Sequence, residues 1–297
     1  MTDRLLGSGL IIVDKPAGMT SHDVISRLRR IFGTRRVGHA GTLDPMATGV
    51  LVVGIERGTR FLAHLVTETK TYRATIRLGA STTTDDAEGD ITSRTDTTDV
   101  TDTLIDAAIA QLTGDIMQKP AAVSAIKIDG KRAHERVRDG ETVDIPARPV
   151  TVHRFDVLDR RSVDGYIDLD VDVFCSSGTY IRSLARDLGN ALGVGGHLTA
   201  LRRTTVGPFD LTHARTLEEL EDNPQLSLTL DQALAASFPI LRVSGEEGHK
   251  LAMGQWLEPH GLKGIHAAVT PDGRAVALVK EKGKRLATVF VARPSTL

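Results

Sequence analysis

A carboxylate in a glycine-rich turn is the strongest chemical signal in the sequence. Residues 38–53 read G-H-A-G-T-L-D-P-M-A-T-G-V-L-V-V, with Asp44 at the centre and an apolar run that begins at Val50. Pro45 biases Asp44 toward extended backbone and stiffens the chain beyond it. Such a loop can hold a nucleophilic carboxylate. The same residue types are common in ordinary turns, so the spacing alone leaves a plain turn open.

Three further motifs accompany this stretch. They are Lys15–Ser21 (K-P-A-G-M-T-S), Lys70–Ala74 (K-T-Y-R-A) and Ser177–Arg182 (S-G-T-Y-I-R). Together with Gly38–Leu51, and in the same order, they resemble the motifs of the bacterial tRNA pseudouridine-55 synthases, the TruB-type pseudouridine synthase family. The resemblance covers residues 14–203 and is much weaker in the C-terminal part.

The resemblance implies an isomerase that converts the T-loop uridine at position 55 of tRNA to pseudouridine. The base is flipped outward, the bond between uracil N1 and ribose C1′ breaks, and C5 becomes joined to C1′. Asp44 is the expected catalytic group, which either attacks C1′ to form an ester or removes the C2′ proton to give a glycal. Arg182 would pair with Asp44 and favour its ionised form. Tyr72 would pack on the uracil and is a candidate base.

Four more residues match substrate-binding positions of the family, namely Lys15, His39, Tyr180 and Leu201. His39 resembles the residue that fills the space left by the flipped base. Without the resemblance, the two tyrosines and Leu201 would be interpreted as core residues, and Arg182 as an exposed residue of a helix.

Composition favours a protein without a metal or a cofactor, and the isomerisation involves no redox change. The single cysteine, Cys175, excludes an internal disulfide and lies in an apolar, strand-like run. The ten histidines have no tight metal-ligand spacing with carboxylates. Since there is neither an apolar run of membrane-spanning length nor a signal-peptide pattern, we expect a cytoplasmic protein with no membrane partner.

Charge is separated along the chain, although the formal net charge is only −1. Basic residues outnumber acidic ones in residues 27–60, 119–154 and 182–215, whereas residues 81–106 are acidic. The basic segments could share one face, with the acidic segment elsewhere, and so bind an RNA backbone. We expect the T-arm stem-loop of tRNA as the partner, recognised by shape and a few exposed bases. No obligatory protein partner is expected.

The fold class implied is α+β, a mixed, mainly antiparallel sheet flanked by helices (the pseudouridine synthase fold), followed by a small β-rich, PUA-like module. Hydrophobic periodicity predicts strands at residues 10–13, 50–53, 72–78, 150–158 and 166–175, a strand-like or helical piece at 198–206, and helices near residues 21–31, 59–66, 101–112, 180–192 and 230–238. The polar residues 79–99 predict a long surface loop.

We expect a catalytic domain over residues 1–238 and an accessory RNA-binding module over residues 239–297. A basic, irregular segment at about residues 119–149 resembles the family's insertion, which closes over the tRNA stem-loop, and loops of this length are usually functional. His134 stands where the family usually has an aromatic residue. This difference weakens the case for base stacking by the insertion and leaves its basic character intact.

Two other functions remain open. A non-catalytic tRNA-binding or folding module would share the basic surfaces, and only the set Asp44, Tyr72 and Arg182 favours catalysis over it. The catalytic subunit of a guide-RNA complex would share related motifs. A glycoside hydrolase ranks low, because most such enzymes need two carboxylates and only Asp44 has a motif around it.

Overall fold

A computed structural model describes residues 5, 7–66, 68–121, 145–295 and, for the backbone alone, 127–128 and 131–132. Most of the predicted insertion, including His134, lies outside the described residues.

The described chain alternates short helices with strands. The strands are β1 Gly9–Lys15, β2 Val37–Ala40, β3 Thr48–Ile55, β4 Lys70–Leu78, β5 Ala80–Thr82, β6 Ile91–Arg94, β7 Gly114–Gln118, β8 Lys127–Ile128, β9 Lys131–Arg132, β10 Arg148–Val163, β11 Tyr166–Cys175, β12 Gly196–Val206, β13 Phe209–Asp210, β14 Leu228–Thr229, β15 Ile240–Arg242, β16 Ile265–Val269, β17 Ala275–Glu281 and β18 Leu286–Val291. The α-helices are α1 Ser21–Ile31, α2 Leu62–Leu65, α3 Asp102–Gln111, α4 Ile181–Ala191, α5 Leu217–Asp222, α6 Leu230–Ser237 and α7 Gly245–Ala252, with 3-10 helices at Glu56–Phe61 and Leu211–His213.

One compact unit contains Met1–Pro45, Gly49–Thr67 and Val206–Leu297. In this unit β1 lies between β14 and β3, and β2 pairs with β3, all antiparallel. Each strand contributes aliphatic side chains to a shared core, for example Leu10 and Val52. The register pairs Lys15 at the end of β1 with Gly49 at the start of β3. The loop that carries Asp44 therefore returns to β3 beside the end of β1.

Helix α1 follows β1 directly and begins at a capping box. The Asp23 backbone N–H donates to the Thr20 hydroxyl oxygen at 3.0 Å, and the Thr20 backbone N–H donates to the Asp23 carboxylate at 2.9 Å. These bonds satisfy two backbone N–H groups at the start of the helix that have no carbonyl partner within it. Val24 and Leu28 lie one turn apart and are completely buried, so the helix predicted near residues 21–31 is confirmed.

The C-terminal residues of this unit form a second sheet in the order β15-β16-β17-β18, in which only β15 and β16 are parallel. Successive side chains of β17 point to opposite faces of this sheet, and each face is buried in a different core. Leu278 joins the core that contains Leu10 and Val52, whereas Ala277 and Val279 pack with Leu251 of α7 in a separate core. The sheet therefore shares a core with β1 and β3, and the functional boundary expected at residue 239 stays a prediction.

The second compact unit contains Met46–Thr48 and Glu68–Thr205. Its strands follow the order β12-β4-β11-β10-β7. The pairs β4–β11, β11–β10 and β10–β7 are antiparallel. Strand β4 buries alternate residues along its whole length, which is the pattern predicted for residues 72–78. The predicted α+β fold, with antiparallel-rich sheets and a β-rich C-terminal part, is confirmed.

Two local predictions were wrong in part. Residues 79–99 contain the antiparallel pair β5–β6 and are not one long loop. Polar side chains form hydrogen bonds within this segment; for example, the Thr82 hydroxyl donates to the Asp86 carbonyl at 2.7 Å. Apolar periodicity does not reveal a structure that is held by such bonds. The helix predicted at 59–66 is divided between the 3-10 helix Glu56–Phe61 and the single turn α2.

Candidate active site

The Asp44 loop connects β2 to β3. The pairing of Ala40 with Val52 marks the end of the β2–β3 ladder, so residues 41–47 form the connection. Leu43 and Ala47 are buried, 3% and 0% exposed, and anchor the loop on both sides of the half-buried Asp44. The two anchors restrict where the Asp44 carboxylate can lie.

The motif Lys15–Ser21 holds the residues immediately before and after Asp44. The Ser21 hydroxyl accepts from the Leu43 backbone N–H at 2.9 Å and donates to the Leu43 carbonyl at 3.1 Å. The Pro45 carbonyl accepts from the Gly18 backbone N–H at 2.8 Å. Asp44 therefore stands between two hydrogen-bonded neighbours.

Lys15 supplies the charged part of this support. Its side chain is completely buried, and its ammonium donates to the carbonyls of Pro16 at 2.8 Å, Met19 at 2.6 Å and Pro45 at 3.2 Å. A buried ammonium has to be compensated by hydrogen bonds, and three carbonyls can accept from its three donors. These contacts are those of a positioning residue, and direct binding of substrate by Lys15 stays a prediction.

His39 is half-buried on β2.

Tyr72 lies in β4 of the second unit, opposite Val173 of β11. It is 7% exposed and points to the buried side of the strand together with Ala74 and Ile76. Lys70, on the same side, is also buried. Burial, reinforced by the nearby Arg203, lowers the pKa of Lys70 to about 8.

Arg182 lies in the first turn of α4, as predicted, and only 5% of it is exposed. Its guanidinium donates to the Thr84 carbonyl at 3.1 Å and lies 3.7 Å from the Asp86 carboxylate. Asp86 is itself buried and accepts from the Glu88 backbone N–H at 3.0 Å and the Thr84 hydroxyl at 2.5 Å. A buried charge is tolerated when it is paired and hydrogen-bonded in this way.

The acidic segment therefore does not lie wholly apart from the basic ones, contrary to our expectation. One turn further along α4, Arg186 lies 3.3 Å from Asp85. Burial raises the pKa of Asp85 above its ordinary value, and Arg186 opposes this shift. The sequence did not indicate Asp86 as a partner of Arg182, because a Thr- and Asp-rich stretch is typical of a solvated loop.

A second missed residue, Gln118, fixes the entry to α4. Its amide oxygen accepts from the Tyr180 backbone N–H at 2.8 Å, and its amide nitrogen donates to the Tyr180 carbonyl at 3.1 Å. Gln118 is 2% exposed. This two-point contact holds the backbone of Tyr180, two residues before Arg182, against the end of β7.

Leu201 borders a cavity of about 540 Å³ in the second unit. The lining includes Arg73 and Arg202 as basic side chains and Thr199 as a polar one. The Arg202 guanidinium donates to the Thr48 hydroxyl at 3.3 Å. The carboxylates of Asp159 and Asp170 also line this cavity, so groups of both charges lie beside the apolar Leu201.

The predicted site residues are thus divided between the units. Lys15, His39 and Asp44 belong to the first, and Tyr72, Tyr180, Arg182 and Leu201 to the second. The structure brings the Lys15 ammonium to the Asp44 loop. The pairing of Asp44 with Arg182, and the place of Tyr72 beside them, stay predictions.

The described residues offer neither a metal-binding cluster nor a membrane-spanning helix. In the part of the chain that the structure describes, no three His, Cys, Asp or Glu side chains are grouped so that they could hold a metal ion. Among the described helices, none combines the length and apolar character needed to cross a membrane.

Comparison with known proteins covers nearly the whole chain. Residues 29–181 match the model of the TruB family pseudouridylate synthase N-terminal domain. Residues 182–236 match the tRNA pseudouridylate synthase B C-terminal domain, and residues 238–293 match the model described as tRNA pseudouridine synthase II, C terminal.

Curated relatives and solved structures agree with these matches. Proteins named tRNA pseudouridine synthase B from Corynebacterium efficiens and Corynebacterium diphtheriae are 73% and 70% identical, each over the full length of both chains. The relative of the same name from Nocardia farcinica is 60% identical over 97% of this chain and 94% of that protein. A Cbf5 complex with Nop10 and Gar1 matches with a TM-score of 0.75 and 27% identity, over 98% of this chain and 87% of that one. Sequence and fold together show that the chain belongs to the TruB family of pseudouridylate synthases, which are isomerases.

Proposed function

We propose that the chain is a tRNA pseudouridine synthase that isomerises the T-loop uridine at position 55. The observation that carries this proposal is the support of the Asp44 loop, because Leu43 and Pro45 are both hydrogen-bonded by the motif Lys15–Ser21. Relatives named tRNA pseudouridine synthase B, up to 73% identical over the full length, support the choice of tRNA.

Asp44 acts on the sugar of a flipped uridine, and flipping costs roughly a few kcal/mol. In one route its carboxylate attacks C1′ while the N1–C1′ electron pair leaves with the uracil. The base rotates, C5 attacks C1′ and Asp44 is released. In the other route Asp44 removes the C2′ proton, the C1′–C2′ double bond of a glycal forms, and the N1–C1′ electron pair leaves with the uracil. The proton returns to C2′ when C5 joins C1′. Both routes end with loss of the proton from C5.

The remaining site residues prepare this chemistry. Arg182 pairs with Asp44, and Tyr72 packs on the uracil and is the candidate base for the C5 proton. Tyr180 and Leu201 line the base pocket, and His39 fills the space that the base leaves in the loop. We assign Lys15 to positioning of the Asp44 loop, since its ammonium is occupied by backbone carbonyls.

The tRNA T-arm is the proposed partner, bound by the catalytic domain over residues 1–238 with its insertion at about 119–149. The module over residues 239–297 adds accessory RNA contacts. Because tRNA is the substrate, we place the protein in the cytoplasm, and we propose that it acts without an obligatory protein partner.

One alternative has a specific observation in its favour. Solved structures that resemble this chain include an archaeal box H/ACA sRNP Nop10-Cbf5 complex and an H/ACA RNP bound to a substrate RNA, which suits a catalytic subunit guided by another RNA. Turnover by the purified chain alone on tRNA separates the two functions. A non-catalytic tRNA-binding or folding module would give binding without product.

Product mapping tests the proposal directly. An unmodified tRNA transcript is incubated with the purified chain, and pseudouridine is located by chemical labelling and primer extension. We expect one modified position, 55, and no modification when uridine 55 is replaced by cytidine. Folded protein that binds the transcript and leaves uridine 55 unchanged would refute the proposed function.

A further inference from the structure

Trp256 presents an aromatic face to solvent in the C-terminal part of the first unit. It is the only tryptophan of the chain, and 46% of it is exposed. The Arg285 guanidinium lies 4.7 Å from the centroid of the indole ring. A guanidinium at this distance is attracted by the π system. We call Trp256 and Arg285 the stacking platform.

The backbone enforces the exposure of this platform. Leu257 and Leu286 form an antiparallel pair with hydrogen bonds of 3.0 Å and 2.9 Å. Both leucine side chains are buried in the core below. Because successive residues of an extended chain point to opposite sides, Trp256 and Arg285, which precede the leucines, point away from that core.

A cavity of about 500 Å³ lies beside the indole ring. It is bordered by Glu247, Lys250, Gln255, Glu258 and His260 among others, and the Lys250 ammonium forms an ion pair with Glu246 at 2.9 Å. The carboxylates would repel a phosphate, but they can accept hydrogen bonds from the N–H groups of a base, and an amide offers both a donor and an acceptor. The cavity therefore suits a nucleobase better than a phosphate.

Phosphates have a separate place beside the platform. Strand β17 exposes Lys280 near its end, and the turn that leads to β18 exposes Lys282, Lys284 and Arg285. We call residues 280–285 the basic turn. The acidic residue within it, Glu281, accepts from the backbone N–H groups of His260 at 2.7 Å and Leu262 at 3.3 Å. Its charge is thus directed toward backbone amides, and the turn keeps a positive field.

We propose that the stacking platform binds an unpaired base of the RNA substrate, and that the lysines of the basic turn bind the phosphates next to it. An aromatic face flanked by cations is the usual construction of a site for single-stranded nucleic acid. The inference deepens the proposed function and rests on it for the identity of the RNA.

The single tryptophan makes the test direct, because a base stacked on the indole quenches its fluorescence. The full chain is titrated with an unmodified tRNA transcript, and saturation is established independently by filter binding. We expect saturable quenching with tRNA and none with heparin, which supplies charge without bases. Equal quenching by heparin, or no quenching at saturating tRNA, would overturn the proposal.

Variants provide the second measurement, the dissociation constant of the tRNA complex by filter binding. Trp256→Ala should weaken binding roughly 5-fold to 100-fold, as expected for the loss of one base stack, whereas Trp256→Phe should keep most of the affinity. Arg285→Gln should weaken binding more than Arg274→Gln, which removes the same charge from an exposed arginine outside the platform. Equal affinities for Trp256→Ala and the unsubstituted chain would overturn the platform.

The two proposals can fail separately. Quenching without pseudouridine at position 55 supports the platform and contradicts the proposed function. Pseudouridine formation without quenching contradicts the platform and leaves the proposed function standing.

Discussion

The Lys15 ammonium donates to the carbonyl oxygen of Pro45 at 3.2 Å, and Pro45 is the residue that follows Asp44. A charged group at the end of β1 therefore holds the backbone of the loop that carries the proposed catalytic carboxylate. Since the ammonium is completely buried, the position of the loop and the stability of the fold depend on the same contact.

Lys15→Met should impair both properties. The carbonyls of Pro16, Met19 and Pro45 would lose a charged donor, and we expect the free energy of unfolding to fall by about 3 kcal/mol. Turnover should fall more than affinity for tRNA, because the loop is misplaced while the basic surfaces remain. Urea unfolding and single-turnover kinetics measure the two effects, with Lys263→Met as the exposed control. Unchanged turnover in folded Lys15→Met would contradict the positioning role.

Ser21→Ala tests the other side of the loop. The substitution leaves the backbone N–H and carbonyl of Leu43 without their partner in a buried place, which should lower the free energy of unfolding by about 1–3 kcal/mol. Ser26→Ala is the matched control on the same helix, because its hydroxyl donates to the His22 carbonyl near the surface. Thermal unfolding should show a clearly lower stability for Ser21→Ala than for Ser26→Ala. Equal stability of the two variants would mean that Ser21 does not support the loop.

Asp86→Asn tests the buried partner of Arg182. Asparagine keeps an oxygen for the Glu88 N–H and the Thr84 hydroxyl, but it removes the charge that faces the guanidinium. We expect a loss of about 3 kcal/mol of stability, the magnitude for breaking a buried ion pair, and a lower single-turnover rate. Asp90→Asn, an exposed residue of the same segment, should be neutral in both measurements. A neutral Asp86→Asn would show that Arg182 is oriented by other contacts.

The lowered pKa of Lys70 predicts that the stability of the fold depends on pH. Its pKa is lowered from 10.5 to about 8 in the fold, chiefly by burial. Between these values the unfolded chain binds more protons at this residue than the folded one, so stability from Lys70 rises with pH in this window. Below pH 8 the residue is protonated in both states and the full penalty of burial applies. Urea unfolding from pH 7 to pH 10 should show the rise, and Lys70→Met should remove it. An identical pH profile in the variant would contradict the shift.

Local elements could be predicted from the sequence because each depends on neighbours in the chain. The alternation from Tyr72 to Leu78 predicted a strand with Tyr72 buried, and the helical spacing of apolar residues such as Val24 and Leu28 predicted the helix near residues 21–31. Apolar periodicity is a local signal, which is why both predictions were confirmed.

Contacts between distant residues could not be predicted in the same way. Asp86 belongs to a polar stretch without periodicity, and only the folded chain brings it to Arg182. Lys15 is of a type that is almost never fully buried, and the three carbonyls that make its burial possible come from two separate segments. The support of the proposed active site is therefore a tertiary property.

The most direct measurement is single-turnover formation of pseudouridine at position 55 by Asp44→Asn, with Asp106→Asn as the exposed control. The asparagine variant should bind unmodified tRNA with unchanged affinity and form no product, because an amide can neither attack C1′ nor take the C2′ proton as a carboxylate does. Asp106→Asn should react at the unsubstituted rate. Product formation by folded Asp44→Asn at the rate of that control would contradict the role proposed for Asp44.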